Sequence, residues 1–347
     1  MKVKGTNHLK ALRRYEATDM KTLSFNMENL CVPCGCRCRH CLLGYDGSVI
    51  GVEYERGKDL ARRIAAESPV KFIYYIGFCM DTPMLFDYIS FCREIGSPSG
   101  SFLQMNGFAK RPYEDMKRLT GQIRDMGVEL VDLTFYGLPD YHDSFAGRAG
   151  DFALLMDMLK AANAVKLPVH ISAPITEENA WQMEELLNIL LGFDTDGISL
   201  YLPHAEGRGW FLESKRLRRS TLEQLPRSVQ AHMPKVKTQA ETQWLHDGNF
   251  PEPGERHLTL SLKPENVNIY EGMPAAEIIS ELERLDDAFY DVVPPAEELA
   301  RLYGDPAGDK LFRYRDLIRF WTKKYVRENH IGVHDMTDER GHFSVRV

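Results

Sequence analysis

The chain has no cysteine after Cys92, although it runs to 347 residues and holds seven cysteines in total. Five of the seven fall between Cys31 and Cys41, whereas a secreted disulfide scaffold would spread them along the sequence. This odd and crowded set indicates a metal site in a reducing compartment, and we expect the protein to be cytoplasmic.

Long apolar runs and excess positive charge are also missing. No window approaches the roughly 20 apolar residues of a membrane-spanning helix. A secretory signal has an apolar stretch after its basic N-terminal segment, and this sequence has no such stretch there. The formal net charge of −7 argues against a general nucleic-acid binder, because phosphate contacts need a basic face. We therefore expect no membrane partner and no nucleic-acid partner.

Short β-rich runs alternate with amphipathic helical stretches from about residue 21 to residue 203. The candidate strands are Thr22–Met27, Val70–Ile76, Ser101–Met105, Val128–Phe135, Pro168–Ala173 and Gly197–Leu202. Strands that alternate with helices predict βαβ units and a parallel sheet. Six units are too few for a closed eight-fold barrel, so the sequence predicts an α/β fold with a partial (β/α)6 TIM-like barrel. Its chemistry is expected at the carboxyl ends of the strands.

The pattern changes after Gly207. Segment 226–255 is polar and contains four prolines, which is typical of a loop-rich connection. A strand at His257–Leu262, helices over Pro274–Phe289 and Lys310–Glu328, and a terminal HFSVRV segment that could pair as an edge strand follow. We predict an N-terminal extension over 1–21, the partial barrel over 22–220, and a mixed α+β extension over 221–347 that could cover the substrate.

The first candidate strand leads into the sequence NLCVPCGCRCRHC. Within it, Cys34, Cys38 and Cys41 have the spacing C-x3-C-x2-C. Three thiolates on one tight loop can bind three irons of a cubane and leave the fourth iron open. A structural zinc site is the alternative, but zinc ribbons place about 15 or more residues between their cysteine pairs. Cys31 or Cys36 could also replace a ligand, although only Cys34 has the full spacing to both other cysteines.

This loop resembles the cysteine motif of the radical S-adenosylmethionine (SAM) superfamily, and His40 takes the place of an aromatic residue that is usual before the third cysteine. The resemblance implies a [4Fe–4S] cluster on Cys34, Cys38 and Cys41, with the methionine part of SAM on the open iron. It extends over roughly residues 22 to 220.

Further segments at successive strand ends are similar to SAM-binding segments of that family. Gly77, Phe78 and Asp81 resemble the Gly-Gly-Glu-Pro segment that binds the SAM amine, although Asp81 could equally be a helix N-cap. Thr134 stands for a serine that contacts the SAM ribose or carboxylate, and Arg208 for an arginine that faces the SAM carboxylate or closes the barrel.

The resemblance implies reductive cleavage of SAM to a 5′-deoxyadenosyl radical that abstracts hydrogen from a substrate. It also implies an electron donor such as flavodoxin or ferredoxin. A peptide or small metabolite is favoured over RNA because the chain is acidic. Cys79, at the predicted barrel mouth, could return a hydrogen atom to a substrate radical or could simply be a small buried side chain. The competing hypothesis is a zinc-stabilised or cluster-stabilised binding protein without SAM turnover.

Overall fold

The computed structural model describes residues 21–27, 34–41, 51–68, 70–76, 82–204, 207–234, 237–248 and 257–331. The predicted edge strand at 342–347 and the predicted site residues Gly77, Phe78, Cys79 and Asp81 lie outside these ranges.

Seven parallel strands form the centre of the molecule. The strands in the described residues are β1 (Thr22–Met27), β2 (Lys71–Ile76), β3 (Phe102–Gln104), β4 (Leu130–Thr134), β5 (Val169–Pro174), β6 (Gly197–Tyr201), β7 (Thr238–Ala240), β8 (His257–Leu262) and β9 (Leu311–Arg313). One parallel sheet has the order β2–β1–β8 and another has the order β3–β4–β5–β6, while β7 and β9 form an antiparallel pair. The predicted α/β class with parallel strands is confirmed.

Helices follow most of these strands. They are α1 (Tyr54–Glu67), α2 (Leu85–Glu94), α3 (Tyr113–Asp125), α4 (Pro139–Ala146), α5 (Asp151–Ala164), α6 (Met183–Leu190), α7 (Arg219–Gln224), α8 (Arg227–Gln230), α9 (Glu241–Asp247), α10 (Val267–Glu271), α11 (Ala275–Val292), α12 (Ala296–Tyr303) and α13 (Tyr314–Glu328). Single-turn or longer 3-10 segments cover Pro98–Ser101, Ala180–Gln182 and Gly207–Lys215. None of the described helices combines the length and the hydropathy needed to cross a bilayer.

Apolar and polar side chains alternate along β4 and β5, and the apolar side chains mark the face of the sheet that packs against the helices. Val131 and Leu133 of β4, and Val169 and Ile171 of β5, are fully buried in the main apolar core. The residues between them point to the other face of the sheet because successive side chains in a strand alternate. On β4, β5 and β6 that face carries Asp132, Thr134, His170, Ser172 and Ser199, and we call it the inner face.

Side chains, rather than a neighbouring strand, bind the edge of β2. The Tyr74 N–H donates to Ser97 Oγ at 2.9 Å, and the Tyr88 hydroxyl donates to the Tyr74 carbonyl at 3.2 Å. Ser99 Oγ also donates to that carbonyl. These groups occupy the backbone of Tyr74 where β2 and β3 form no ladder, and the described parallel strands form two sheets rather than one closed barrel.

The C-terminal part contributes to the central sheet and also builds a small core of its own. Strand β8 has the predicted bounds and pairs in parallel with β1, from Thr22 opposite His257 to Met27 opposite Leu262. The division into 1–21, 22–220 and 221–347 stays a prediction. Residues 226–234 and 237–248, the described parts of the predicted loop-rich connection, are more ordered than a plain loop, since they contain α8, β7 and α9. Trp244 of α9 explains this order: it is buried, and its Nε1 donates to the Phe312 carbonyl at 2.9 Å.

Candidate metal and cofactor site

Main-chain hydrogen bonds hold the cysteine loop, residues 34–41, against segments that follow the strands. The donor and acceptor pairs are Gly35 N to Gly107 O (2.8 Å), Arg37 N to Ala146 O (2.7 Å), Arg39 N to Phe145 O (3.0 Å) and Arg208 N to Cys41 O (2.9 Å). The partner segments follow β3, β4 and β6, so the loop lies at the carboxyl ends of the parallel strands. In parallel α/β sheets this is the edge where ligands bind.

Two glycines allow the loop to approach its neighbours so closely. A Cβ at Gly35 would overlap the Arg148 guanidinium, and Gly35 also lies against the Gly107 carbonyl. Gly147 ends α4 with φ of 63° and lies against the backbone of Arg37. A side chain at either position would push the loop away from α4.

The thiols of the loop have strongly different acidities. Hydrogen bonding to Cys36 is the main cause that lowers the pKa of both Cys34 and Cys38, and the Cys36 N–H lies 3.5 Å from Cys34 Sγ. The pKa of Cys34 falls to about 6, helped by the nearby charges of Arg148 and Arg37 and opposed by burial. The same bonds raise the pKa of Cys36, whose thiol also lies 3.5 Å from Asp151 Oδ2. The Cys34 thiol is therefore largely ionised near neutral pH, whereas Cys36, whose thiol donates to Asp151 Oδ2, keeps its proton.

A buried tyrosine contacts one of the predicted ligands directly. The Tyr136 hydroxyl lies 3.2 Å from Cys38 Sγ, and burial raises the pKa of this tyrosine well above its ordinary value. Tyr136 therefore keeps its proton and donates it to the Cys38 sulfur. Its ring stacks on Phe145, with ring centres 4.6 Å apart, and these rings form an apolar wall beside the cysteines.

Buried polar side chains, beginning with His142, hold the backbone of Tyr136 in place. His142 Nδ1 accepts a hydrogen bond from the Tyr136 N–H at 3.0 Å, so the ring proton is on Nε2 and donates to Asp151 Oδ2 at 3.2 Å. Arg148 donates to the other oxygen of Asp151. Burial acts to raise the pKa of Asp151, but the bonds from His142 and Arg148 lower it overall. Asp151 is thus a buried carboxylate with its partners in place.

His40, a residue of the cysteine loop, faces β6. Its Nε2 is 3.2 Å from the Tyr201 hydroxyl, while its Nδ1 is buried without a hydrogen-bond partner. Burial, together with the charge of His204, lowers the pKa of His40 to about 4. His40 is therefore a neutral imidazole near neutral pH, with one nitrogen still able to form a hydrogen bond.

The structure brings part of the predicted site together. Cys34, Cys38 and Cys41 are on one loop, and Arg208 reaches that loop through its backbone N–H. Thr134 is buried at the end of β4, where its hydroxyl is 3.4 Å from Asp132 Oδ2 and its N–H donates to Asn106 Oδ1 at 2.8 Å. Its contact to SAM stays a prediction, as do those of Gly77, Phe78 and Asp81 and the role of Cys79.

Three thiols on one loop are a donor set that a multi-iron cluster could use. Among the described residues, no three His, Cys, Asp or Glu side chains converge on one point as ligands of one metal ion. A cubane does not need such convergence, because each thiolate binds a different iron. Soft thiolates with an apolar wall and the Tyr136 donor are the environment that such a cluster requires. Cys34, Cys38 and Cys41 would hold it, and Cys36 is the nearest substitute ligand.

Comparisons with known proteins gave matches among solved structures only. No protein-family model and no curated protein matches the chain. SuiB from Streptococcus suis, bound to its precursor peptide SuiA, has a TM-score of 0.42 at 14% identity over 54% of this chain. The chain spans 40% of the length of SuiB.

Two further solved structures are similar at the same level. Native anSMEcpe with bound AdoMet has a TM-score of 0.43 at 15% identity, over 65% of this chain and 62% of anSMEcpe. Coproporphyrinogen III oxidase HemN from Escherichia coli has a TM-score of 0.42 at 11% identity, over 91% of this chain and 92% of HemN. HemN is described as a radical SAM enzyme, the family that the cysteine loop resembles. Similarity at this level establishes neither a reaction nor a substrate for this chain.

Sequence reasoning missed several residues that build the site. Nothing in the sequence indicated that Tyr136 and Asp151 contact cysteines of the loop. Asn179 is fully buried and donates to the carbonyls of Tyr136 (2.8 Å) and Pro174 (2.7 Å). A polar residue just after a predicted strand was the one available signal, and it does not specify a partner.

Proposed function

We propose that this chain is a radical SAM enzyme whose [4Fe–4S] cluster is bound by Cys34, Cys38 and Cys41. The observation that carries the proposal is the position of the cysteine loop, which main-chain bonds hold at the carboxyl ends of parallel strands. When bound and reduced, the cluster supplies the electron that cleaves the C–S bond of SAM and gives a 5′-deoxyadenosyl radical.

The protein's own contribution is orientation, charge and exclusion of water. Tyr136, Phe145 and Leu212 pack against the cysteines and shield one side of the loop. Arg37 donates to the carbonyls of Cys34 (2.7 Å) and Cys36 (2.8 Å), which stabilises the turn and places a positive charge beside anionic thiolates. These contacts would stabilise the bound cluster when reduction adds a negative charge to it.

We also propose the cofactor contacts that the family resemblance implies. Thr134 and Arg208 would contact SAM, and Arg208 is adjacent to the loop through its bond to Cys41. Gly77, Phe78 and Asp81 would bind the methionine amine. The role of Cys79 as a hydrogen donor to the substrate radical is a separate proposal, tested by Cys79→Ala, which should retain SAM cleavage but fail to close the product.

A peptide or small metabolite is the proposed substrate, and a flavodoxin or ferredoxin is the proposed electron donor. Among the described residues, Cys34, Cys36, Cys38 and Cys92 form no disulfide, which suits a reducing compartment. No cysteine follows Cys92, so residues 221–347 cannot hold a second cluster on thiolates.

Anaerobic reconstitution tests the proposal. The protein should bind about four irons and four sulfides, show the absorption of a [4Fe–4S] cluster, and release 5′-deoxyadenosine from SAM after reduction with dithionite. Cys92→Ala is the matched control, because Cys92 is a buried core thiol remote from the loop, and it should leave both readouts unchanged.

The second candidate function is a binding protein without SAM turnover. Zinc in place of iron, or a stable cluster that never cleaves SAM under reduction, would favour it and remove the enzyme proposal.

A further inference from the structure

A connected group of polar side chains lies on the inner face, away from the cysteine loop. His170 Nδ1 is 2.8 Å from Asp132 Oδ1, and His170 Nε2 is 3.0 Å from Ser199 Oγ. The Ser172 hydroxyl also donates to Asp132 Oδ1, at 2.7 Å. Three neighbouring strands, β4, β5 and β6, contribute these residues in register, since Asp132 is opposite His170 and Ser172 is opposite Ser199.

The hydrogen bonds within this set decide which hydroxyl group can still bind a partner from outside. Asp132 is buried and accepts from His170, Ser172 and, at longer range, Thr134. The hydrogen bond to Asp132 raises the pKa of His170 and so favours the ring form with a proton on each nitrogen, in which Nε2–H donates to Ser199 Oγ at 3.0 Å. The Ser199 hydroxyl proton is then available to an acceptor from outside the set.

The group is partly accessible, and strand β6 runs from it toward the cysteine loop. The His170 side chain is 26% exposed, and Gly197, its neighbour across the ladder, has no side chain to cover it. Ser199 and Tyr201 are on the same face of β6, two residues or roughly 7 Å apart. The Tyr201 hydroxyl contacts His40 of the cysteine loop. A small molecule bonded to Ser199 would therefore extend along β6 to the loop.

The same distances match the Ser–His–Asp arrangement of serine nucleophiles, so the two functions need separating. A nucleophile requires a neutral histidine to take the serine proton and free N–H donors for the oxyanion. Here the hydrogen bond to Asp132 favours the charged histidine, and the β5–β6 ladder engages the strand backbone around Ser199. Both features favour binding of an acceptor over acyl transfer.

We propose that Ser199, positioned by His170 and Asp132, binds a carboxylate group of the substrate at the floor of the inner face. When His170 donates through Nε2, it polarises the Ser199 hydroxyl and strengthens it as a donor, and an anionic oxygen is the acceptor that gains most from this arrangement. The inference rests on the proposed function only in taking this ligand to be the substrate.

Acetate is the probe for this site, with acetamide as its neutral analogue. The full chain, purified anaerobically and labelled with 15N-histidine, is titrated while the His170 ring resonances are followed. We expect acetate to shift the Nε2 resonance in a saturable way, and acetamide to bind at least tenfold more weakly. Ser199→Ala should weaken acetate binding at least tenfold, whereas Ser199→Thr, which keeps the hydroxyl, should retain it.

Ser24→Ala is the matched control. Ser24 Oγ contacts His257 at 2.6 Å in the other parallel sheet, so this variant removes a similar serine–histidine bond at a distant place and should leave acetate binding unchanged. Unperturbed His170 resonances, or equal acetate affinity in Ser199→Ala, would overturn the proposal. Covalent labelling of Ser199 by a fluorophosphonate would also overturn it, in favour of a nucleophile. All these outcomes are independent of iron content and SAM cleavage, so they do not depend on the fate of the proposed enzyme activity.

Discussion

Replacing Tyr136 by phenylalanine removes one hydroxyl group and leaves the ring that packs against Phe145. In the structure that hydroxyl donates to Cys38 Sγ at 3.2 Å from a fully buried position, with no competing water expected. A donor to a ligand sulfur stabilises the reduced, more negative cluster over the oxidised one. Tyr136→Phe should therefore lower the midpoint potential of the reconstituted cluster.

The size of the shift follows from the strength of the bond. Hydrogen bonds to charged groups contribute about 1.5–3 kcal/mol, and only the part that differs between the two redox states moves the potential. With about 1 kcal/mol of such a difference, the potential falls by about 40 mV, because about 59 mV corresponds to a tenfold change in a one-electron equilibrium.

The assay is a redox titration of the reconstituted protein followed by electron paramagnetic resonance. Tyr141→Phe is the control: it removes a hydroxyl from the same helix region, but that hydroxyl contacts Glu178 (3.2 Å) rather than a cysteine. Thermal melting of both variants shows whether the fold is intact. A Tyr136→Phe protein that is folded, fully loaded with iron and unchanged in potential would refute the reasoning.

Three further outcomes are expected. Cys34→Ala should lose most of the iron on anaerobic reconstitution, whereas Cys36→Ala should keep about four irons; the reverse pattern in iron analysis would move the ligand register to Cys36. Arg208→Ala should raise the KM for SAM at least severalfold with the iron content unchanged, as measured by 5′-deoxyadenosine release; an unchanged KM removes Arg208 from the SAM site. Asp316→Asn should destabilise the fold by about 3 kcal/mol at pH 7, because it breaks a buried ion pair, and urea unfolding measures this loss.

The pH dependence of the last variant follows from the same contacts. Asp316 accepts from Arg313 Nε at 2.6 Å and lies 3.2 Å from His204 Nδ1. Burial acts to raise its pKa, but His204 and Arg313 lower it well below the ordinary value of 3.8. A lowered pKa in the folded state stabilises the protein above the unfolded pKa, and this contribution is lost as the pH falls below about 4. The stability gap between wild type and Asp316→Asn should therefore shrink at pH 3, and a constant gap would exclude the ionised carboxylate as its cause.

Much of the strand pattern was predictable because buried parallel strands have a simple composition. Thr22–Met27 and His257–Leu262 have the predicted bounds, and the other five parallel strands differ by only a few residues at their ends. The pairing of β8 with β1 was not predictable, because periodicity locates a strand but does not identify a neighbour so distant in sequence. Short elements around Trp244 were missed because burial of one tryptophan, rather than local propensity, orders that segment.

The candidate site also has one part that was predictable from the sequence and one part that was not. Spacing alone placed Cys34, Cys38 and Cys41 together, since three thiols on eight residues of one loop need no tertiary information. The contacts of Tyr136 with Cys38 and of Asp151 with Cys36 join segments that are distant in sequence. They depend on how α4 and α5 pack, and no local pattern encodes that packing.

The place of β1 between β2 and β8 has a consequence for synthesis of the chain on the ribosome. After residues 22–204 have emerged, β1 can pair with β2, but the edge that β8 will occupy stays open until residue 262 has left the exit tunnel. An unpaired strand edge is a template for association with other chains. Nascent chains arrested before β8 has emerged should therefore need a chaperone to prevent aggregation. Ribosome-bound chains arrested after β8 has emerged should no longer need one. Sedimentation of arrested complexes with and without chaperone measures the aggregated fraction.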